Sequence, residues 1–349
     1  MDLRPLVVHA HSSRATDIHL SHGIYPHFRI DGELVPQERY GEIRGEDIEQ
    51  ATRDLFEEIG LEFSERKREI DFSFTVAGQI RIRGNFYYER GEPALALRLI
   101  PRKIRSIDEL GLPPIIKEIA DQDFGLIIVT GPTGSGKSTT IAAMIDYLNE
   151  KYSYHIITIE DPIEYIFDNK RSIIHQRELG RDTMSFTDGL KYALRQDPDV
   201  ILVGEMRDLE TMSLALTSAE TGHIVFATVH TNSAATAPER IIDVFPAHQQ
   251  KQVALQLANT LRAVIYQRLI PRVGGGMVAV QEIMVGTPAV SNLIREGKLH
   301  QLDGIIQAGA KHGMILFDDA LVDLYRRGII DRQTVLDYAR SPEEVIKKL

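Results

Sequence analysis

The run Gly131-Pro132-Thr133-Gly134-Ser135-Gly136-Lys137-Ser138, continued by Thr139, has the spacing G-x-x-x-x-G-K-[ST] of a phosphate-binding loop. Its glycines let backbone N–H groups turn inward around a β-phosphate with no Cβ in the way. The helix start that follows adds unpaired donors and a partial positive charge. Lys137 is placed to reach the β- and γ-phosphates, and the Ser138 hydroxyl to bind Mg²⁺. The flanks agree: residues 125–130 form an apolar strand leading in, and residues 139–150 lead out with helical spacing at Ile141, Ala142, Ile145 and Leu148. A glycine-rich turn that fits by accident is the competing reading, and these flanks argue against it.

Binding a nucleotide is not hydrolysing it, so a carboxylate near the loop is needed. Residues 199–203 form an apolar strand that ends in Gly204-Glu205. A glutamate at the C-terminal end of a central strand can orient and activate an attacking water, or be a solvated strand end. A second acidic group, Glu160-Asp161-Pro162-Ile163-Glu164, follows another apolar run. Glu160 or Glu164 can hold Mg²⁺ through water, while Asp161 can simply cap a turn. His230, just past an apolar strand, can donate to a γ-phosphate oxygen or be structural. His223, seven residues earlier, falls on the opposite face of a straight strand, so the two cannot share a metal there. His9, His11, His19, His22 and His27 crowd the N-terminus without ligand spacing and read as non-metal.

The elements that must position these groups are legible from periodicity. Residues 125–130, 156–159, 200–203 and 224–229 are short, nearly continuous apolar runs separated by helical segments. Strands buried on both faces look like this, which predicts an α/β core with a mainly parallel sheet flanked by helices. After about residue 245 the chain reads as mainly helical. Phe317, Ala320, Leu321 and Leu324 share a helical face, and Asp331 is placed to cap the helix carrying Val335, Leu336 and Ala339.

Residues 1–100 differ. A helix is expected over 47–59, with Ile48, Ala51, Leu55 and Ile59 on one face. Ile70, Phe72, Phe74 and Val76 then alternate with polar residues. A turn at Ala77-Gly78-Gln79 leads into Ile80 and Ile82, and Gly91-Glu92-Pro93 leads into Leu95, Leu97 and Leu99. These are half-buried antiparallel strands of a smaller α+β domain. The polar, basic stretch 101–114, bracketed by prolines, reads as a linker, leaving 115–349 as the core with its helical C-terminal part.

Composition narrows the class. Forty basic against fifty acidic residues give a net charge of −10, the wrong balance for a protein held mainly on nucleic-acid phosphates. Cysteine is absent, which excludes disulfides and cysteine-ligated zinc. No apolar run approaches the roughly 18 residues needed to cross a bilayer. The opening MDLRPLVVHAHSSR lacks the form of a secretory signal, so the chain reads as soluble and intracellular.

Taken together, the segments resemble the secretion-ATPase superfamily and, within it, the type IV pilus retraction ATPases (PilT-like proteins). GPTGSGKSTT looks like the Walker A stretch, ITIEDPIEY like the acidic Asp box, RQDPDVILVGEMRD like the atypical Walker B with Glu205, and TGHIVFATVHTNSA like the His box. SRATDIHLSHGIYPHFRIDGEL is similar to the family's opening segment. The resemblance implies a RecA-like core, a PAS-like N-terminal domain, ATP and Mg²⁺ as ligands, and a hexameric ring. It also implies an inner-membrane pilus platform protein as partner, a cytoplasmic location at the pilus base, and N-terminal arginines that reach the nucleotide. Arg83 and Arg98 best match those arginines; each also reads as an ordinary arginine on the solvated face of a strand. Pilus-extension and type II secretion ATPases, the nearest alternatives, usually add an N-terminal domain and a four-cysteine zinc module that this sequence lacks. Ala289-Val290-Ser291-Asn292-Leu293-Ile294-Arg295-Glu296 is similar to the retraction family's AIRNLIRE, departing at Val290 and Ser291. A nucleic-acid translocase is the alternative from another class, disfavoured by charge and by the lack of aromatic and basic interleaving.

Overall fold

A computed structural model of the chain describes residues 1–30, 32–64, 68–78, 80–100 and 103–349. They form two compact units, residues 1–103 with 164–166, and residues 104–163 with 167–349.

The first unit contains helix α1 (Leu3–Ser12), strands β1 (Asp17–Ser21), β2 (His27–Ile30) and β3 (Glu33–Pro36), helix α2 (Gly45–Ile59), and strands β4 (Glu69–Val76), β5 (Ile80–Glu89) and β6 (Glu92–Ile100). The strands pair antiparallel in the order β3-β2-β1-β6-β5-β4. The alternation expected at 70–76 sets the register. Phe72, Phe74 and Val76 point inward and meet Ile82, Phe86, Leu95 and Leu97, while Ile48 and Phe56 of α2 complete the same core. Gly84 is required there, because a Cβ would fall 2.2 Å from the Phe72 ring. Gln79 of the expected turn, and Pro101 and Arg102 of the expected linker, lie outside the described residues. Residues 104–114 fold with the second unit instead of hanging as polar chain. Ile107 and Leu112 are buried, and Ser106 and Glu109 cap each other's backbone N–H groups.

The second unit is the α/β core. Helices α3 (Ile115–Ala120), α4 (Lys137–Lys151), α5 (Phe186–Ala193), α6 (Leu209–Glu220), α7 (Ala237–Asp243) and α8 (Ala247–Thr260) accompany strands β7 (Gly125–Thr130), β8 (His155–Glu160), β9 (Ile173–Glu178), β10 (Val200–Val203) and β11 (Ile224–Val229). Every residue of β7, β10 and β11 is buried, as their unbroken apolar runs require. Each fully buried Val, Leu or Ile there contributes about 1.5–3 kcal/mol relative to leaving it exposed.

The chain after residue 245 starts as the helix α8 but does not stay helical. Strands β12 (Leu261–Pro271) and β13 (Met277–Val285) form an antiparallel hairpin on the edge of β7, giving the order β13-β12-β7-β11-β10-β8-β9. Gly274, Gly275 and Gly276, all at positive φ, make its turn. Helix α8 passes into β12 with no glycine or proline between them, so the boundary carries no sequence signal. The helical part follows as α9 (Pro288–Arg295), α10 (Leu302–Ala308), α11 (Phe317–Arg326), α12 (Arg332–Tyr338) and α13 (Pro342–Ile346). Phe317, Leu321 and Leu324 are buried as expected, and Asp331 caps α12 by accepting from the Thr334 N–H at 2.7 Å. In α9 Val290 is fully buried, so valine fills an apolar slot there.

Candidate active site

β7 delivers the glycine-rich loop and α4 carries it away, with Gly136 in the left-handed conformation at the helix start. The glycines are demanded by a neighbour strand as well as by any ligand. A Cβ on Gly131 would stand 2.2 Å from the Gln267 carbonyl oxygen, and one on Gly136 would stand 2.8 Å from Gln267 Nε2. Gln267 lies on β12 and is buried. Its Nε2 donates to the Ser135 carbonyl at 2.7 Å, and its Oε1 accepts from Thr140 Oγ1 at 2.6 Å and from Gln281 Nε2 at 2.7 Å. The hairpin is therefore the floor under the loop. Neither glutamine was singled out from sequence, although a glutamine inside an otherwise apolar run is the signal that would have found each.

Lys137 Nζ donates to the carbonyls of Gly131 at 2.9 Å and Pro132 at 3.1 Å, which arches the ammonium over the loop. Ser138 and Thr139 are half-buried in the first turn of α4, a turn that carries no acidic side chain. Pro132, Thr133 and Gly134 form the exposed crest. The Ser135 hydroxyl is buried and has no hydrogen-bond partner among the described residues. A cradle without Cβ atoms, an unsatisfied hydroxyl and a lysine held over backbone carbonyls fit a nucleotide phosphate. For a cation, no three His, Asp or Glu converge among the described residues. Mg²⁺ commonly takes one or two protein oxygens together with substrate phosphates, and the Ser138 hydroxyl suits that pattern.

Glu205 is fixed from both sides. The Gly204 N–H donates to the Ile159 carbonyl of β8 at 2.8 Å, and the Met206 N–H donates to the Thr228 carbonyl of β11 at 3.0 Å. Its Oε2 accepts from Arg207 Nη2 at 2.7 Å, and its Oε1 lies 3.3 Å from His230 Nε2. The Arg207 hydrogen bond outweighs burial, and the charges of Arg207, His230 and Lys137 add to it. The carboxyl is thereby held below the ordinary glutamate range, so it is ionised at neutral pH. His230 leaves the end of β11. Beside it, the Thr231 N–H donates to Thr130 Oγ1 at 2.9 Å, tying the histidine loop to the strand that feeds the glycine-rich loop.

Glu160 ends β8 and is buried, its Oε1 accepting from Thr158 Oγ1 at 2.6 Å and from Gln176 Nε2 at 3.1 Å. Glu164 is exposed and belongs to the segment 164–166 of the first unit. Arg83 and Arg98 also belong to the first unit, on the solvated face of its sheet; Arg98 Nε donates to Asp17 Oδ1 at 2.8 Å. Most other histidines have local partners. His9 Nδ1 meets Tyr40 Oη, His22 Nδ1 accepts from the Gly45 N–H, His27 Nδ1 meets the Tyr25 carbonyl, and His223 Nδ1 meets the Ser218 carbonyl.

A mainly parallel sheet whose adjacent strands bring a glycine-rich loop, Glu205 and His230 into one neighbourhood is the RecA-like plan of P-loop enzymes. The family model described as "Type II/IV secretion system protein" matches residues 2–281, and the chain belongs to that family. It is 45% identical over 343 residues to the type IV pilus retraction ATPase PilT of Pseudomonas aeruginosa, covering 98% of this chain and 99% of that one. It is 44% identical over 321 residues to a twitching motility protein of Neisseria gonorrhoeae, covering 92% and 86%. The crystal structure of the pilus retraction motor PilT with bound ADP superposes with a TM-score of 0.89 at 44% identity, covering 99% of each chain.

Proposed function

We propose that this chain is an ATPase motor that hydrolyses ATP to power type IV pilus retraction, the process behind twitching motility. The observation that carries the reading is the ionised Glu205, seated against His230 and in the electrostatic reach of Lys137. Similarity to PilT along nearly the full length supports the retraction direction.

In this reading Gly131, Gly134, Ser135 and Gly136 wrap the β-phosphate, Lys137 binds the β- and γ-phosphates, and Thr139 completes the helix start. Mg²⁺, when bound, neutralises charge on the transferring phosphoryl group; Ser138 would hold it, with Glu160 or Glu164 contributing through water. Glu205 orients the attacking water and takes its proton, while Arg207 keeps the carboxylate ionised and turned. His230 donates to a γ-phosphate oxygen in this reading, a role supported by its place at the other edge of Glu205. Arg83 and Arg98 keep the role the resemblance gives them, contact with nucleotide phosphate, for which arginine's fixed fork of donors is suited.

The working assembly is a homohexamer in the cytoplasm, docked at the inner-membrane pilus base on a platform protein. No helix among the described residues is long and apolar enough to cross a membrane, which supports docking through a partner. Purified protein should hydrolyse ATP in a Mg²⁺-dependent way, and Lys137→Ala should abolish turnover. In cells, deletion should leave piliated bacteria that do not twitch. Bald cells would instead assign extension, and unaffected pili would sink both.

A further inference from the structure

One charged pair in the core lies outside the phosphate loop and holds the loop that carries His230. Glu282, on β13, is completely buried. Its Oε1 accepts the Ala234 N–H at 2.6 Å, and its Oε2 pairs with Arg340 Nη1 and accepts the Phe317 N–H at 3.4 Å. Arg340 lies between α12 and α13. Its Nη2 donates to the Asn232 carbonyl at 2.9 Å, and its guanidinium lies over the rings of Tyr266 and Phe317 at 4.9 and 5.1 Å. Asp318 fixes the backbone there, accepting the Arg340 N–H at 2.8 Å and the Ser341 N–H at 2.9 Å.

The pair therefore grips residues 232 and 234, just after His230, by one carbonyl and one N–H. Thr130 grips the same loop at Thr231. A buried ion pair is weak evidence of stability, because desolvation offsets the attraction; fixing one geometry is the use best attested for such groups. The geometry in question here is the placement of His230 on Glu205.

We propose that Arg340 and Glu282 are positioning residues for hydrolysis, which makes turnover depend on the seating of the chain's last helices against the histidine loop. This rests on the ATPase reading above. Neither residue needs to touch nucleotide. Loss of Arg340 frees the Asn232 carbonyl and strands a carboxylate, so His230 loses its register with Glu205 while the phosphate cradle, built on Gln267, stays intact.

The test is steady-state ATP hydrolysis by the full-length protein, with nucleotide affinity and melting temperature measured alongside. Arg340→Ala should lower kcat by at least about tenfold, the scale expected when a catalytic group is displaced by a fraction of an ångström, with KM changed less than about twofold. A cavity of about 470 Å³ opens beside Arg340, lined in part by Ser233 and Asp303, and gives a small cation access. Millimolar guanidinium should then restore part of kcat to Arg340→Ala, and methylammonium at equal concentration should not. Arg340→Lys keeps the charge but replaces the fixed fork that spans Glu282 and Asn232 with a single ammonium, so its kcat should fall between those of wild type and Arg340→Ala. Arg44→Ala, which removes an exposed pair with Asp47 in the first unit, is the control expected at the wild-type rate. Unchanged kcat in Arg340→Ala overturns the proposal. If Arg340→Ala does not fold, Arg340→Lys decides: a wild-type kcat with a lowered melting temperature makes the pair structural only. Absence of ATP turnover in the wild-type protein would sink the ATPase reading and this inference with it.

Discussion

Arg83 and Arg98 are register partners on β5 and β6, directly opposite each other on the solvated face of the sheet. Two guanidinium groups so placed repel. Asp17 is next in the same row, pairing with Arg98 in register from β1, and its carboxylate takes the Arg98 side chain. Two arginines that look equivalent in the sequence, and are both exposed, thus differ in that Arg98 is paired with Asp17 within its own unit.

That asymmetry predicts different consequences for the two substitutions. Arg98→Ala should cost about 1 kcal/mol of stability through the lost charged hydrogen bond. Arg83→Ala should stay within about 0.5 kcal/mol of wild type. If both arginines contact phosphate, each variant should also slow ATP hydrolysis more than it weakens ADP binding. Denaturant titration and single-turnover assays separate the two effects, and wild-type hydrolysis by both would remove them from the site.

The Asp17 pairing should be visible in the pH dependence of stability. Burial alone would raise the Asp17 carboxyl, but hydrogen bonds from Arg98 and Thr16 and the Arg98 charge hold it below its ordinary 3.8. A depressed folded-state pKa contributes stability that is present above the unfolded value and lost as pH falls through the folded one. The stability gap between wild type and Asp17→Asn should therefore be full near pH 7 and shrink below about pH 4. Thermal melts across that range would count against the pairing if the gap stayed constant.

Glu205 offers a kinetic counterpart. Glu205→Gln should retain ATP binding and lose roughly 10²–10⁴ in kcat, the range for removal of a general base. Arg207→Ala should lift the Glu205 pKa, since the Arg207 hydrogen bond is the main cause of its depression. The acid limb of kcat/KM should then move to higher pH with the alkaline limb unmoved. An unshifted acid limb would mean that Glu205 is not the group whose ionisation sets it.

How far all this could be read beforehand varies with how local the information is. The phosphate loop, its entering strand and its exiting helix were legible because their signals lie within about 25 consecutive residues. Four buried strands were legible as apolar runs. The hairpin of β12 and β13 was not, because α8 runs into β12 at Thr260–Leu261 without punctuation. Strands β1 to β3 and β9 are short and carried no clear alternation. The contact of His230 with Glu205 depends on β10 and β11 being neighbours, which is a matter of strand order. Arg340 and Gln267 reach their partners across more than a hundred residues of sequence, where no spacing rule operates.

Gln267 gives a direct test of the floor beneath the loop. Gln267→Leu keeps the volume but removes the donor to the Ser135 carbonyl and the acceptor for Thr140 and Gln281. Leaving such buried groups unsatisfied should cost about 1–3 kcal/mol each at most. Nucleotide affinity should fall along with melting temperature, in contrast to Glu205→Gln. Full affinity in Gln267→Leu would show that the loop holds its shape unaided.

The close approach of Gln267 to Gly131 and Gly136 also limits how the phosphate loop can be cut and pasted. Eight residues are enough to recognise the motif, but they are not a portable part. Grafted onto a scaffold whose neighbouring strand carries an apolar residue at the place of Gln267, the loop would lose the donor that holds the Ser135 carbonyl. A bulkier backbone approach there would collide with the loop even where both glycines are kept, since each already sits within contact distance of β12. The smallest exchangeable cassette is therefore discontinuous: β7, the loop and α4 together with the β12–β13 hairpin, two stretches separated by about a hundred residues that have to be moved, or altered, as one.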